Sequence, residues 1–250
     1  MLNELVRALV DQNYGLRRVA ALRARDRDRW LAARGIVDGT AALASGLRAA
    51  SLRGTPLDRF SQLEASVGTG PGRALAAQLR YLGGKKALAS ALRTFPQTTE
   101  QLLHVDKFLE RERALPVRLE QNVGAATLAS SETFGELDVR DFLQAFGIVD
   151  AAAVADGWGG GRLALYTSGG GHVAALVLRW DMPQDALEWQ AAVPRYVAAA
   201  FVGATAHRCP PLDACWSGPA EISAGTFQTT SVLAAGPGSA AVAAAALAQG

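Results

Sequence analysis

The feature that most constrains this fold is a pair of strand-like segments on either side of three consecutive glycines. Residues 162–167 and 173–180 are short, and they are rich in apolar and β-branched side chains. Two such segments joined by a glycine turn are typical of an antiparallel β-hairpin. We expect Leu163, Leu165 and Val173 to lie on its buried face. This part of the chain is therefore predicted to contain a sheet with a hydrophobic core of its own.

The segments around this hairpin predict further helices and strands. A helix capped by Ser131 or Thr133 is expected to run to Phe146. The other predicted elements are a short helix at 151–155, an amphipathic helix at 184–200, strands near 203–208 and 226–235, and a C-terminal helix after a Gly-Pro-Gly turn. Such a mixture of elements indicates an α+β architecture.

The residues before position 131 carry mainly helical patterns. Apolar side chains recur every three or four residues, as they do on one face of an α-helix. Helices are predicted at 2–13, 28–50, 73–82, 85–93 and 98–104, with a loop at 51–72 that contains a helical turn at 57–63, and a strand-like segment at 115–119. We therefore predict an α+β fold in two parts, a mainly helical part at 1–130 and a smaller α+β part at 131–250.

The composition argues against two classes of partner. The chain has 25 basic and 23 acidic side chains, so its net charge of +2 provides no strong field for nucleic acid. No apolar run reaches the roughly 18 residues that span a bilayer. Asn3, Glu4 and Arg7 interrupt any signal-peptide core, so the chain is predicted to be cytoplasmic, or extracytoplasmic if it lacks its natural beginning. A protein or peptide is the expected partner.

Two cysteines lie at the ends of a short segment, Cys-Pro-Pro-Leu-Asp-Ala-Cys. Its two prolines bend the chain and can bring the sulfur atoms of Cys209 and Cys215 together. We predict a disulfide between them, as is typical of an oxidising compartment. The alternative is a pair of free thiols in a reducing compartment. Zinc is not expected here, because no second pair of ligands lies nearby.

Residue types and spacing reveal no complete catalytic site. His104, His172 and His207 each lack a second histidine three or four residues away, so a helical two-histidine metal motif is missing. The glycines at 157–161 precede a strand rather than a helix, which argues against a phosphate-binding loop. Three tryptophans are expected to anchor the core of the α+β part: Trp158, Trp180 and Trp189.

Five segments nevertheless carry a recognisable series of motifs. Residues 3–12 read Asn-Glu-Leu-Val-Arg-Ala-Leu-Val-Asp-Gln, and residues 96–104 read Pro-Gln-Thr-Thr-Glu-Gln-Leu-Leu-His. Residues 33–41, 135–137 and 157–166 complete the series. Together they resemble bacterial HExxH, gluzincin-like metallopeptidase proteins, whose zinc-binding helix reads His-Glu-Leu-x-His-Ala-Leu-x-Asp-Gln. The resemblance implies a zincin-derived fold for the helical part.

The resemblance also assigns roles to four positions. It places Asn3, Arg7 and Asp38 where the family has its three zinc ligands, and Glu4 where it has the general base. In such a helix, histidines at i and i+4 bind Zn²⁺ while the glutamate activates the bound water. An amide is a poor ligand for zinc, and a guanidinium repels the ion. These positions are therefore expected to be vestigial, with no metal or other cofactor.

The predicted function is consequently non-enzymatic. We expect a metallopeptidase-like pseudoenzyme that retains a scaffold for binding a protein or peptide. One alternative is a zinc-dependent hydrolase with displaced ligands, for which Glu100 and His104 are the candidates. Another is an inactive, truncated product, because the family pattern includes a domain before the zinc-binding helix.

Arg7 is expected to take the structural place of the metal. Glu4 and Arg7 are three residues apart on one helix, so both side chains can project from the same face. The resemblance places Asp38 opposite them. We predict that the Arg7 guanidinium bridges the two carboxylates in a partly buried position, because it would offset their mutual repulsion.

Overall fold

The computed structural model describes residues 2–47 and 54–249. The chain folds into two compact units, Met1–Arg113 and Ala114–Gly250. The first unit is helical, and the second combines helices with an antiparallel sheet. The predicted α+β class is therefore confirmed. Among the helices that the structure describes, none has both the length and the apolar composition needed to cross a bilayer.

The first unit is built from helices of very different lengths. They are α1 (Leu2–Tyr14), α2 (Arg17–Ala20), α3 (Arg27–Ser45), α4 (Pro56–Ser66), α5 (Arg73–Thr94), α6 (Thr99–Leu103) and α7 (Val105–Glu110), with a π-helical turn (Gly68–Gly72) before α5. α3 is central, since it packs against α1, α5, α6 and the π-helical turn. Its side chains Leu31, Ala33 and Ile36 are at most 1% exposed. Burial of this apolar face stabilises the unit.

Two glycines allow α3 to approach the π-helical turn closely. A Cβ atom on Gly39 would lie 2.1 Å from the carbonyl carbon of Gly72. That distance is far shorter than a van der Waals contact between carbon atoms. Any larger residue at position 39 would therefore force the backbones of α3 and the turn apart.

Glycines also end or interrupt the helices of this unit. Gly46 adopts the left-handed conformation, with φ 73°, and caps α3. The predicted end of this helix at residue 50 is therefore wrong, and residues 48–50 lie outside the described residues. In α5, Gly83 and Gly84 leave the helical conformation. This confirms the predicted break between residues 82 and 85.

α4 occupies much of the segment that the sequence predicts as a loop, of which residues 51–53 lie outside the described residues. The helix begins with a capping box, in which Asp58 N donates to Thr55 Oγ1 at 3.3 Å and Thr55 N donates to Asp58 Oδ2 at 3.0 Å. Pro56 then occupies the first helical position. The predicted turn at 57–63 is thus the middle of a longer helix.

The second unit contains one sheet with helices packed against it. Its elements are β1 (Asn122–Val123), β2 (Ala126–Thr133), α8 (Glu136–Ala145), α9 (Ala151–Ala155), β3 (Trp158–Ser168), β4 (Gly171–Trp180), α10 (Pro183–Ala200), β5 (Thr205–His207), β6 (Ala214–Ser217), β7 (Ile222–Phe227), β8 (Thr230–Ala235) and α11 (Ser239–Leu247). The strand order is β1-β2-β3-β4-β8-β7-β6-β5, and neighbouring strands are antiparallel. The predicted short helix, amphipathic helix and C-terminal helix are present.

The predicted hairpin is formed by β3 and β4, although its buried face differs from the prediction. Val173 is buried, as expected. Leu163 is half-buried and Leu165 is 38% exposed, so their predicted burial is wrong. Ala164 and Tyr166 are buried instead, because they pair with Ala175 and Val173 on the face that α11 covers. Successive residues of a strand point to opposite faces, which leaves the two leucines on the other side.

The boundary between the two units lies earlier than the predicted boundary at residue 130. Ser131 and Thr133 belong to β2, which pairs with β3, so neither caps a helix as predicted. α8 begins at Glu136 after Gly135. Residues 122–133 therefore join the sheet of the second unit, which becomes the larger unit rather than the smaller one.

Glycines in β3 explain a further difference from the prediction. A Cβ atom on Gly160 would lie 2.3 Å from the carbonyl oxygen of Leu115. Leu115 N donates to Gly159 O at 2.6 Å. The segment 115–119 thus passes close to the start of β3 and forms no strand of its own. Gly159 and Gly160 serve this close packing, and they lie inside β3 rather than before the strand as predicted.

Tryptophans anchor the core of the second unit, as the sequence predicts. Trp158, Trp180 and Trp189 are at most 2% exposed. The indole of Trp158 donates to Phe134 O, and that of Trp180 donates to Ser231 Oγ, each at 3.0 Å. Buried indoles need such partners, because an unpaired donor in the core is costly.

Candidate functional site

In the first unit, Arg7 lies close to two carboxylates. Its Nε is 3.1 Å from Asp38 Oδ1, and its Nη1 is 3.8 Å from Glu4 Oε2. Glu4 and Arg7 lie on α1, one helical turn apart, whereas Asp38 lies on α3. The predicted bridge is therefore present as two ion pairs, one of which joins two helices, but the charge-assisted hydrogen bonds expected of it are not formed.

The three side chains differ greatly in exposure. Asp38 is 18% exposed, Arg7 43% and Glu4 73%. The prediction of a partly buried position thus holds for Asp38 and is wrong for Glu4. Asp38 Oδ1 is itself buried and accepts no hydrogen bond of good geometry, so Arg7 acts on it as a nearby positive charge. The Glu4 pair is a solvent-screened surface interaction.

A second arginine neutralises Asp38 from within α3. Arg34 Nε donates to Asp38 Oδ2 at 3.2 Å, with the favourable i, i+4 spacing. Arg34 Nη1 also lies 3.8 Å from Glu64 Oε1, on α4. Asp38 therefore lies between two guanidinium groups, and the network continues to a second acidic residue.

Asn3 takes part in a different contact. Its Nδ2 lies 3.5 Å from Ser45 Oγ, near the C-terminal end of α3. The residues at the four family positions thus comprise an amide, two carboxylates and a guanidinium. Zinc sites use neutral histidine, thiolate and carboxylate ligands, so this donor set does not fit a zinc ion.

The segment 96–104 is held by buried hydrogen bonds. Thr98 caps α6 by accepting from Gln101 N at 3.1 Å, which confirms the predicted cap. Thr99 N and Oγ1 donate to the Asp28 carboxylate at 3.1 and 2.5 Å. Asp28 and Thr99 are at most 3% exposed. These hydrogen bonds therefore attach α6 to the start of α3.

Glu100 and His104 lie within the same segment. Glu100 is 1% exposed, and Lys107 Nζ donates to its Oε1. Lys107 Nζ also lies 3.4 Å from Glu112 Oε1. His104 lies between α6 and α7, and its backbone N donates to Glu100 O at 2.8 Å. His104 thus lies at the end of α6, where the helix predicted at 98–104 ends.

In the second unit, a cleft of about 210 Å³ opens between α10 and the strands β6, β7 and β8. We call it the α10 cleft. Its walls include Trp189 and Val193 from α10, Trp216 from β6 and Ala224 from β7. Asp213, which directly precedes β6, is the one charged residue among the described residues that line it. The lining is thus mainly apolar, and its polar members are Gln190, Asp213 and Thr226.

A disulfide lies beside this cleft. Cys209 and Cys215 are bonded, as the sequence predicts. Asp213 and Ala214, both of which line the cleft, lie inside the loop that the bond closes. The disulfide therefore constrains the loop that forms one wall of the cleft.

Residues 121–246 match the family model of a domain of unknown function, DUF8575. The chain belongs to the DUF8575 family. The matched residues extend from just before β1 into α11, so the DUF8575 domain contains the whole sheet of the second unit. No curated protein and no solved structure matches the chain.

The DUF8575 domain contains candidate residues that the sequence alone did not assign to a binding site, since Trp189 was predicted only as a core anchor. Asp213 and Trp216 lie within two residues of Cys215 in the chain. This proximity to a cysteine was the only sequence feature that could have drawn attention to them. Trp189 and Val193 lie on α10, far away in the chain. Their convergence depends on the packing of α10 against the sheet, which residue spacing cannot reveal.

Proposed function

We propose that this DUF8575 protein is a non-catalytic binding protein for a peptide or protein, and that its first unit derives from a zinc metallopeptidase fold. The observation that carries the proposal is the position of Arg7 between Asp38 and Glu4. A guanidinium stays protonated at any physiological pH. It therefore supplies a permanent positive charge where the resemblance has a zinc ligand.

The arginine partners of Asp38 disfavour a metal ion at this position. Asp38 already has cationic partners in Arg7 and Arg34, so a divalent cation would have to displace both. Glu4 is exposed, and it lies within ion-pair distance of the cationic Arg7. These contacts support loss of the hydrolytic reaction and retention of the helix arrangement.

Metal analysis tests the catalytic part of this proposal. We expect protein purified without chelators to contain far less than one equivalent of zinc, and to leave peptide substrates intact when zinc is added. Stoichiometric zinc with hydrolysis would contradict the proposal. It would favour a hydrolase with displaced ligands such as Glu100 and His104, although Lys107 would have to release Glu100 first.

A reconstruction tests the proposed ancestry. The triple substitution Asn3→His, Arg7→His and Asp38→Glu restores the ligand types of the family on α1 and α3. We expect this variant to bind zinc. The matched control carries both histidines with Asp38→Ala, so it lacks the third ligand and should bind zinc more weakly. Equal zinc binding by the two variants, or none by either, would contradict a zincin origin.

The binding role is tested with a displayed library of short random peptides. We expect specific sequences to be enriched on the folded protein, and the enrichment to disappear on protein that has been reduced and denatured. A library that yields no enriched sequence would contradict the proposed role. Failure to obtain a soluble, cooperatively folding protein would instead favour an inactive gene product.

A further inference from the structure

The α10 cleft has a shape that follows from the sheet register. Ala214 pairs with Ala224, and Trp216 pairs with Ile222. Paired residues of antiparallel strands point to the same face, so Ala214, Trp216 and Ala224 share the face on which α10 lies. The two alanines leave space between the aromatic wall of Trp216 and the side chains of α10. This space is the cleft.

Its size fits one side chain. Pockets for drug-sized molecules have volumes of about 300–1,000 Å³, whereas the α10 cleft measures about 210 Å³. Trp189, Val193 and Pro194 offer apolar contacts to the stem of such a side chain. The dimensions therefore favour insertion of a single long residue from a peptide.

The charge in the cleft indicates which type of side chain a bound peptide would insert. Asp213 is exposed, and its backbone N donates to Ala224 O at 3.1 Å, which holds it at the edge of the sheet. Within the described part of the chain, its carboxylate makes no hydrogen bond or ion pair. Arg195, which follows the lining residue Pro194 in the chain, binds Asp150 at 2.8 and 3.0 Å. Asp213 thus supplies an exposed negative charge among the residues that line the cleft.

We propose that the α10 cleft binds an arginine side chain of a peptide, with Asp213 as the counter-charge. A planar guanidinium can bind a carboxylate through two hydrogen bonds, and its apolar stem suits the apolar lining of the cleft. This inference rests on the proposed peptide-binding function, for which it names the subsite and the recognised side chain.

The experiment uses three blocked tripeptides that differ only in the central residue, which is arginine, citrulline or lysine. Binding to the full chain is followed by NMR of the tryptophan indole groups at low salt. We expect the arginine peptide to bind with a Kd of about 1 mM or below. Citrulline has nearly the same shape without the charge, and it should bind at least about 10-fold more weakly. Lysine should also bind more weakly, because it cannot make a bidentate contact.

Two variants locate the site. Asp213→Asn should weaken binding of the arginine peptide at least about 10-fold, since it removes the charge and nearly preserves the shape. The matched control is Glu132→Gln, which removes an exposed charge on β2, away from the cleft. It should leave binding unchanged. Circular dichroism and thermal unfolding of both variants verify that the fold is retained.

The inference is overturned if citrulline or lysine binds as well as arginine, if Asp213→Asn binds as well as the wild type, or if Glu132→Gln weakens binding equally. Its failure is distinguishable from failure of the proposed function. If library peptides bind the protein independently of Asp213, the arginine subsite is refuted and the peptide-binding function is retained. Zinc-dependent hydrolysis would remove the proposed non-catalytic role, whatever the outcome at Asp213.

Discussion

Arg7 on α1 and Asp38 on α3 form an ion pair in which Nε and Oδ1 are 3.1 Å apart. The pair joins two helices that are separated in the chain by α2. Asp38 keeps a second cationic partner, Arg34, on its own helix. The acidic side chain therefore lies between one arginine that makes a tertiary contact and one that makes a local contact.

Removal of Arg7 should have a small effect on stability. Arg7 is 43% exposed, so we expect Arg7→Ala to lower the free energy of unfolding by about 1 kcal/mol or less. Arg34 still neutralises Asp38 in this variant. Denaturant unfolding measures the change, with Arg25→Ala, which removes an exposed arginine, as the control. A loss of about 3 kcal/mol would indicate a buried ion pair instead.

Removal of Asp28 should lower the free energy of unfolding much more than removal of Arg7. Its buried carboxylate accepts hydrogen bonds from Thr99 N and Oγ1. We expect Asp28→Ala to destabilise the first unit by about 2–3 kcal/mol, because buried donors on α6 lose a charged acceptor. Asp26→Ala is the comparison, since Asp26 caps α3 at an exposed position and its loss should cost about 1 kcal/mol. Similar losses in the two variants would refute this ranking.

The disulfide should be present in the purified protein and should support the α10 cleft. Thiol titration of denatured, non-reduced protein should detect no free thiol, whereas two titratable thiols would contradict the bond. Cys209→Ser together with Cys215→Ser should cost about 2 kcal/mol, as expected for closure of a short loop. The serine variant should also bind the arginine peptide more weakly, because Asp213 lies within that loop.

Stability at high pH should depend on Tyr196. Burial raises the pKa of Tyr196 to about 12, from the ordinary value of 10.0. The unfolded chain therefore ionises first, so the contribution of the neutral hydroxyl is complete below pH 10 and is lost as the pH rises toward 12. Unfolding free energies measured across this window should fall more steeply for the wild type than for Tyr196→Phe. Equal slopes would contradict the raised pKa.

Local sequence patterns were sufficient for many elements of the fold. The break at Gly83 and Gly84 and the cap at Thr98 depend on the conformational preferences of the residues themselves. The β3–β4 hairpin depends on the glycine turn and on the residues beside it. The pairing of Arg7 with Glu4 follows from helical spacing. Such features are predictable because the interacting groups are close in the chain.

Only the tertiary structure decided which surfaces are covered. Leu165 and Tyr166 are adjacent and both large, yet Tyr166 is buried because α11 packs on its side of the sheet. The assignment of Ser131 and Thr133 to β2 likewise depends on pairing with β3, which lies more than twenty residues away. The α10 cleft requires a helix and three strands to pack together. These outcomes depend on contacts between distant segments, whose energies are not encoded in any single local pattern.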